Sequence, residues 1–203
     1  MRRMRISAIV WIVSVLVAMG LLAWMGTAAI PSAREHAQEG SALIGGPFTL
    51  VDASGKTVTN RTYAGKYMLV YFGYTHCPDM CPTGLMLISN ALGQLDEKTR
   101  AKIVPIFVTL DPERDTPAVM GDYVRHFGSG LVGLTGSPQQ IKQVAEAYKV
   151  YYSKVENEGS ALGYLIDHSG YMYLMGPDGR YVTHFTYQIS ESALKDGLAK
   201  SVR

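Results

Sequence analysis

The sequence predicts an α/β domain that follows a single N-terminal transmembrane helix. Three observations lead to this fold class. A long uncharged run opens the chain, apolar runs of strand type alternate with helical patterns over the remainder, and two cysteines stand where one such run passes into a helix. The first observation concerns the membrane, the second the fold, and the third the site at which we expect chemistry.

The apolar run Ile6–Ala33 contains no charged residue and is rich in Ile, Val, Leu and Ala. A helix needs roughly 20 apolar residues to span a bilayer core, so the run is long enough. Arginines precede it, which by the positive-inside bias keeps the N-terminus cytoplasmic. A cleaved signal peptide is the alternative, although its apolar part is usually about 7–15 residues. We expect residues 1–33 to be a basic start and an anchor in a bacterial inner membrane, with the next domain in the periplasm.

Residues 34–46 are polar, small or glycine-rich, and we expect a linker there. Residues 47–203 are then enough for one compact domain. The formal net charge is only +2, which provides no case for binding nucleic acid.

The domain opens with two short strand-like runs, Phe48–Val51 and Val58–Thr59, around a turn rich in Asp, Ser and Gly, which predicts a β-hairpin. The continuous apolar run Tyr67–Phe72 predicts a strand that is buried on both faces. After Cys81, apolar residues recur at helical spacing. They are Leu85, Ile88, Leu92 and Leu95.

Further along the chain, Ile103–Leu110 predicts a second buried strand and Leu131–Leu134 a third. Thr116-Pro117 and Ser137-Pro138 each combine an N-cap residue with proline at the first helical position, so a helix should begin at both places. Residues 150–164 are irregular and polar in the middle, which suggests an excursion or a long hairpin.

A last hairpin is predicted by Tyr171–Met175 and Tyr181–Phe185, which bracket Gly176-Pro177-Asp178-Gly179, and Ser190 should cap a final helix. The order is therefore β-hairpin, βαβαβα, β-hairpin, α. Helices between buried strands imply right-handed crossovers and a sheet covered on both faces. With cysteines at the end of the first buried strand, this order is the plan of a thioredoxin-like fold carrying an N-terminal β-hairpin extension.

Cys77 and Cys81 are the two cysteines of the chain and are separated by three residues. A structural disulfide is unfavoured because so short a loop restricts the unfolded chain little. Pro82 indicates that regular helix begins near Cys81, so residues 77–81 should form a turn whose free N–H groups face the sulfurs. Such a turn favours thiolate, which both disulfide exchange and metal binding require. The pair is therefore either redox-active or metal-binding.

The chain has five histidines, and one of them could join the two cysteines as a third metal ligand. His168 stands directly before the last hairpin, where a thioredoxin-like plan packs a loop against the cysteine turn. A Cys₂His set suits Cu(I) in three-coordination and tolerates Cu(II). Asp167 could orient the imidazole as an acceptor, and His76 is expected to tune Cys77. The other three we interpret as ordinary surface, sheet or linker residues: His36, His126 and His184.

Three segments together resemble the Sco/SenC family of copper-binding proteins. They are Phe72–Pro82, Thr109–Pro117 and Asp167–Ser169, and the similarity runs from about Gly46 to the C-terminus. The resemblance implies a thioredoxin-like domain on the outer face of a membrane that binds one copper ion, as Cu(I) or Cu(II), through Cys77, Cys81 and His168. It also places Asp111 near the site, where we expect tuning or docking.

Members of this family help assemble the dinuclear copper centre of cytochrome c oxidase, so the resemblance implies its copper-site subunit as a partner. Other periplasmic copper donors and thiol reductants stay open as partners. The sequence favours a metallochaperone without turnover over a thiol–disulfide oxidoreductase that reduces the cysteines of that copper site. His168 stands where an exchange enzyme places a cis-proline, and CxxxC replaces the usual CxxC. A peroxiredoxin-type peroxidase is disfavoured by the spacing of Thr75 and Cys77.

Overall fold

A computed structural model describes residues 44–128, 130–156 and 163–203, together with Met19. The predicted anchor, Met19 apart, and linker residues 34–43 lie outside these ranges. Among the described residues, no helix is both long and apolar enough to cross a membrane.

Strands and helices alternate through the described ranges much as the sequence predicts. The strands are β1 (Thr49–Asp52), β2 (Thr57–Thr59), β3 (Tyr67–Gly73), β4 (Ile103–Thr109), β5 (Val132–Thr135), β6 (Tyr152–Glu156), β7 (Tyr164–His168), β8 (Tyr171–Met175) and β9 (Tyr181–Thr186). The helices are α1 (Met80–Gly93), α2 (Glu97–Arg100), α3 (Pro117–Arg125), α4 (Pro138–Ala147) and α5 (Glu191–Ser201). A 3₁₀ turn, Asn60–Tyr63, follows β2.

The main sheet has the strand order β2-β1-β5-β4-β3-β8-β9. Its centre is parallel, because β4 pairs in parallel with both β3 and β5. The N-terminal hairpin joins the sheet where β1 pairs antiparallel with β5, and β8 pairs antiparallel with β3. Every residue of β3 is buried, which explains its unbroken apolar sequence. The predicted thioredoxin-like α/β fold with an N-terminal hairpin is confirmed.

Helices cover both faces of this sheet. On one face, the Tyr71 ring packs beneath Gly84 of α1, and Phe107 contacts Tyr123 of α3 at a ring-centroid distance of 5.7 Å. On the other face, Phe72 meets Tyr148, at the end of α4, at 5.3 Å. Adjacent residues of a strand point to opposite faces, so Tyr71 and Phe72 anchor different layers.

The N-caps of three helices are those expected from the sequence. The side chains of Thr116, Ser137 and Ser190 each accept a hydrogen bond from a backbone N–H in the first turn of the helix that follows. Each such cap typically contributes about 1 kcal/mol to stability. Helix α1 begins at Met80, one residue before the predicted start, and Pro82 lies in its first turn, where its missing N–H has no partner to lose.

The structure resolves the two alternatives for residues 150–164 in favour of a hairpin. Strand β6 pairs antiparallel with β7, with Tyr152 opposite His168, and residues 157–162 between them lie outside the described ranges. His168 is therefore the last residue of a strand, and its predicted place in a loop is wrong. The polar composition of β6 hid the strand, because most of its residues are exposed and show no buried face.

Candidate metal centre

The two cysteines lie where β3 passes into α1, at the carboxyl edge of the parallel strands. Cys77 occupies a turn in which its backbone N–H donates to the Tyr74 carbonyl at 3.3 Å. Cys81 belongs to the first turn of α1 and is completely buried, whereas Cys77 is half-buried. The turn aims the Cys81 backbone N–H at Cys77 Sγ, 3.3 Å away. This is the predicted arrangement, in which a helix N-terminus provides a donor to the sulfur.

Gly73, the last residue of β3, makes room for the buried sulfur. A Cβ atom placed on it would lie 2.6 Å from Cys81 Sγ and 2.8 Å from Cε2 of Phe107. Both distances are far below normal contact, so any larger residue would displace the sulfur or the ring. The absence of a side chain at Gly73 thus allows α1 to pack Cys81 directly against the sheet.

His168 reaches the cysteines from β7. Its Nε2 atom lies 3.4 Å from Cys81 Sγ, and its Nδ1 atom lies 3.1 Å from the Ser169 carbonyl oxygen. Since a carbonyl only accepts hydrogen bonds, this contact places a proton on Nδ1, so that in the neutral imidazole the Nε2 lone pair is the one that faces the sulfurs. Backbone contacts of this kind orient metal-binding histidines in many proteins.

One donor atom from each of Cys77, Cys81 and His168 lies within 4.8 Å of the others. Among the described residues, this is the group that could hold a metal ion. Two soft sulfurs and one imidazole fit Cu(I) or Zn(II) better than hard cations such as Mg²⁺. The donor set therefore fits the copper ion expected from the sequence.

The metal-free cysteines differ sharply in acidity. The Cys81 side chain donates a hydrogen bond to Cys77, and with backbone N–H groups this lowers the Cys77 pKa to about 4, although burial opposes the shift. Burial raises the pKa of the Cys81 thiol well above its usual value, and its hydrogen bond to Cys77 raises it further. The pair therefore stands as a half-buried thiolate beside a buried thiol at neutral pH.

The remaining expected site residues lie around this centre. Asp167 is exposed, and the imidazole Nδ1 uses the Ser169 carbonyl as its acceptor. The expected role of Asp167 is thus filled by backbone, because adjacent residues of β7 point to opposite sides. His76 lies beside Cys77 in the chain, yet its Nδ1 contacts Thr75 Oγ1 at 3.0 Å.

Asp111 is completely buried and is bonded to one side chain on β7 and to another in its own turn. It accepts a hydrogen bond from the Tyr164 hydroxyl at 2.8 Å and pairs with the Arg114 guanidinium. Asp111 thus belongs to the surroundings of the site, separate from the three converging donors. Two other histidines make local contacts away from the cysteines: His126 and His184.

Sequence reasoning missed Asp115 as an individual residue of the site. This buried carboxylate accepts hydrogen bonds from the backbone N–H of Thr75 at 3.0 Å and from its hydroxyl at 2.6 Å. It also accepts from the Thr109 hydroxyl at 2.6 Å. Asp115 thereby joins the end of β4 to the segment just before Cys77. The sequence did contain a signal for this role: Asp115 directly precedes the N-cap Thr116 and lies close to Thr109, which ends a buried strand.

Comparison with known proteins agrees with this geometry. A family model described as SCO1/SenC matches residues 36–203. Protein SCO1 homolog 1, mitochondrial, of Arabidopsis thaliana is 44% identical over 84% of this chain, which spans only 50% of that relative. SCO2-like protein RP587 of Rickettsia prowazekii is 36% identical over 94% of this chain and 95% of the relative.

Solved structures are similar over the same region. The crystal structure of Arabidopsis thaliana ScoI with copper bound has a TM-score of 0.75 and 45% identity, covering 79% of this chain and 98% of that one. The structure of Bradyrhizobium japonicum ScoI with copper bound has a TM-score of 0.70 and 43% identity, covering 78% and 99%. On its sequence and its fold, this chain belongs to the SCO1/SenC family.

Proposed function

We propose that this protein is a copper metallochaperone that binds one copper ion through Cys77, Cys81 and His168. As the family resemblance implies, it would assist assembly of the dinuclear copper centre of cytochrome c oxidase. The observation that carries the proposal is the convergence of two sulfurs and one imidazole nitrogen within 4.8 Å. Relatives of the same fold have been solved with copper bound, which supports copper over zinc as the ion carried.

The acidity of Cys77 supports a metal-carrying role over a reducing one. A Cys77 pKa of about 4 stabilises the reduced pair, because the thiolate is already formed at neutral pH. Stabilising the reduced form raises the reduction potential and makes a dithiol a weaker reductant. The same property keeps both sulfurs available for a metal ion, since an oxidised pair offers no thiolate.

Thiol–disulfide exchange is the second candidate function, and the unequal exposure of the cysteines favours it. The half-buried Cys77 thiolate would attack a target disulfide and release one target thiol. Cys81 would then attack the mixed disulfide, release the second thiol and leave a Cys77–Cys81 disulfide. Two electrons pass to the target in this sequence, so the pair must be reduced again by an external thiol reductant.

The proposed location is the outer face of a bacterial inner membrane, with residues 6–33 as a single-pass anchor. The uncharged apolar sequence of this segment supports the proposal. Membrane fractionation of the full chain, followed by protease treatment of intact spheroplasts, would test it. We expect the full chain in the membrane fraction and residues 44–203 digested from outside. Protection of these residues would contradict the proposed orientation.

The metal site can be tested by titrating the domain with Cu(I) against a competing chelator. We expect His168→Ala to weaken binding by at least about 10-fold, since even residues that only support a ligand commonly have effects of this size. His126→Ala is the matched control, because His126 is exposed and contacts the Tyr123 carbonyl on its own helix. Equal affinities in the wild type and His168→Ala would remove His168 from the site.

A transfer experiment separates the two candidate functions. Copper-loaded protein is mixed with the soluble copper domain of the oxidase, and two quantities are measured for each partner: the bound metal, and the reduced cysteines counted after denaturation with a chelator. Metal transfer with no change in the number of reduced cysteines of either partner would support the metallochaperone. Oxidation of Cys77 and Cys81 to a disulfide, with reduction of the recipient's disulfide and no metal transfer, would support the oxidoreductase.

A further inference from the structure

The third donor, His168, stands on a part of the fold that is separate from the cysteines. Cys77 and Cys81 follow β3, a fully buried strand of the main sheet, whereas His168 ends the two-stranded hairpin β6–β7. An isolated two-stranded hairpin is at best marginally stable in water. The position of the His168 imidazole therefore depends on what fastens this hairpin to the rest of the domain.

A closed set of three side chains provides the fastening; we name Asp111, Arg114 and Tyr164 the Arg114 clamp. The Arg114 guanidinium pairs with the Asp111 carboxylate and lies 3.7 Å above the centre of the Tyr164 ring. Its NH1 group donates to the Tyr164 carbonyl at 3.3 Å. The Tyr164 hydroxyl donates in turn to Asp111 at 2.8 Å. Both the side chain and the backbone of β7 are thus held by the segment that follows β4.

The burial of the clamp makes it more than a surface contact. Asp111 is completely buried, and the Arg114 side chain is only 18% exposed. Ion pairs and cation–π contacts strengthen as water is removed from around them. The neighbouring pair Lys154–Glu113 also links β6 to this segment, but its side chains are 48% and 61% exposed, so we expect it to contribute little.

Tyr74 connects the clamp to the metal centre. Its ring lies 5.9 Å from the Arg114 guanidinium carbon, and its hydroxyl accepts a hydrogen bond from the Ile166 backbone N–H at 3.1 Å. The same ring meets the His168 imidazole edge-on at a centroid distance of 6.1 Å. Tyr74 directly follows β3 and accepts the Cys77 N–H on its carbonyl. One tyrosine therefore contacts the clamp, the hairpin and the cysteine turn.

We propose that the Arg114 clamp positions the third metal donor by docking hairpin β6–β7 so that the His168 imidazole faces the two sulfurs. Arg114, Asp111 and Tyr164 are positioning residues in this proposal and touch no metal themselves. Without the clamp, the hairpin separates from Tyr74 and the site keeps two sulfurs. The inference deepens the proposed function, since it rests on His168 as a ligand.

The first test uses the metal-free protein and is independent of copper. Arg114→Met keeps an unbranched side chain but removes the guanidinium, and we expect it to abolish NMR contacts between the His168 and Tyr74 rings. Arg125→Met is the matched control. Arg125 also pairs with an aspartate three residues earlier, Asp122, but with 73% of its side chain exposed. Unchanged contacts in Arg114→Met would overturn the proposal.

Tyr164→Phe provides a second variant in case Arg114→Met folds poorly. It removes only the hydroxyl that donates to Asp111 and keeps the ring beneath Arg114. We expect the contact between the His168 and Tyr74 rings to weaken without loss of the fold, which thermal unfolding would verify. A well-folded Tyr164→Phe protein with contacts as strong as the wild type would also count against the clamp.

The second test is a double-mutant cycle on Cu(I) affinity. We expect Arg114→Met to weaken binding by about 10-fold in the wild type and to have no effect in His168→Ala. Equal weakening in both backgrounds would show that Arg114 acts on the cysteines or on the whole fold, and would overturn the proposal. If His168→Ala itself leaves affinity unchanged, the proposed ligand set fails, while the metal-free NMR result still decides whether the clamp positions the ring.

Discussion

The imidazole Nε2 of His168 lies 3.4 Å from the sulfur of Cys81, although 87 positions separate the two residues in the chain. The contact joins the end of a peripheral hairpin to the first turn of a helix that is packed on the central sheet. It places a nitrogen donor beside the cysteine that the fold buries completely.

The reactivity of Cys77 should reflect its low pKa. In the metal-free protein, we expect the rate of Cys77 alkylation by iodoacetamide to stay near its neutral value down to about pH 5, because the pKa is about 4. Cys81→Ala removes the hydrogen bond that is the largest cause of this shift, so its rate should fall steeply below neutral pH. Mass spectrometry of the labelled peptide gives the rate. A midpoint near pH 9 in the wild type would contradict the assignment.

The same shift links stability to pH. A thiol with a lowered pKa in the folded state contributes stability that is complete above its unfolded value of 9.0 and is lost as pH falls toward about 4. The pKa of Cys81 is raised, so its effect on stability is opposite: the stability that it contributes is present below about pH 9 and is lost as the pH rises above that value. Cys77→Ala should flatten the pH dependence of urea unfolding between pH 5 and 8, and an unaltered slope would contradict this linkage.

Gly73→Ala should destabilise the protein by about 1–3 kcal/mol, the usual effect of overpacking a core. The added Cβ would lie 2.6 Å from Cys81 Sγ and 2.8 Å from the Phe107 ring, so the sulfur must move and Cu(I) affinity should fall as well. Gly93→Ala is the matched control, because no atom lies within 4 Å of its added Cβ at the end of α1. Urea unfolding and chelator competition measure the two effects; equal stabilities of the two variants would contradict this packing.

Asp115→Asn should destabilise the domain by roughly 1–3 kcal/mol, because it leaves at least one of the three donors that bond to this buried carboxylate without an acceptor. Those donors belong to Thr75 and Thr109. Asp122→Asn, at an exposed position, should change stability by less than about 0.5 kcal/mol. Urea unfolding distinguishes the two. A neutral Asp115→Asn would show that this carboxylate does not hold the segment before Cys77.

Copper should stabilise the folded domain by an amount that rises with the logarithm of the free Cu(I) concentration once that concentration exceeds Kd. At a free Cu(I) concentration of about 100 times Kd, we expect about 2.7 kcal/mol of added stability, which a strong chelator should reverse. The variant with both Cys77 and Cys81 changed to serine is the control, since it lacks both soft donors. A copper-dependent rise in Tm of that variant would place the metal elsewhere.

Local patterns in the sequence predicted most of the fold. Thr116 and Ser137 cap helices because an N-cap needs only its own side chain and the next few backbone groups. The buried runs that became β3 and β4 are continuous because both faces of a central strand are covered. Hairpin β6–β7 was harder to recognise, because most residues of β6 are exposed and show no alternation of apolar and polar side chains. The residues that hold the hairpin, Asp111 and Arg114, lie on another segment of the chain.

The sequence by itself determined which residues could carry the chemistry: a CxxxC pair at a strand–helix junction and His168 before the last hairpin. Only the tertiary structure decided how they are held. It gave Nδ1 of His168 the Ser169 carbonyl in place of Asp167, placed Gly73 under the Cys81 sulfur, and closed Arg114 between Asp111 and Tyr164. Periodicity and capping depend on neighbours in the chain, whereas these contacts depend on strand pairing, side-chain direction and the packing of distant segments.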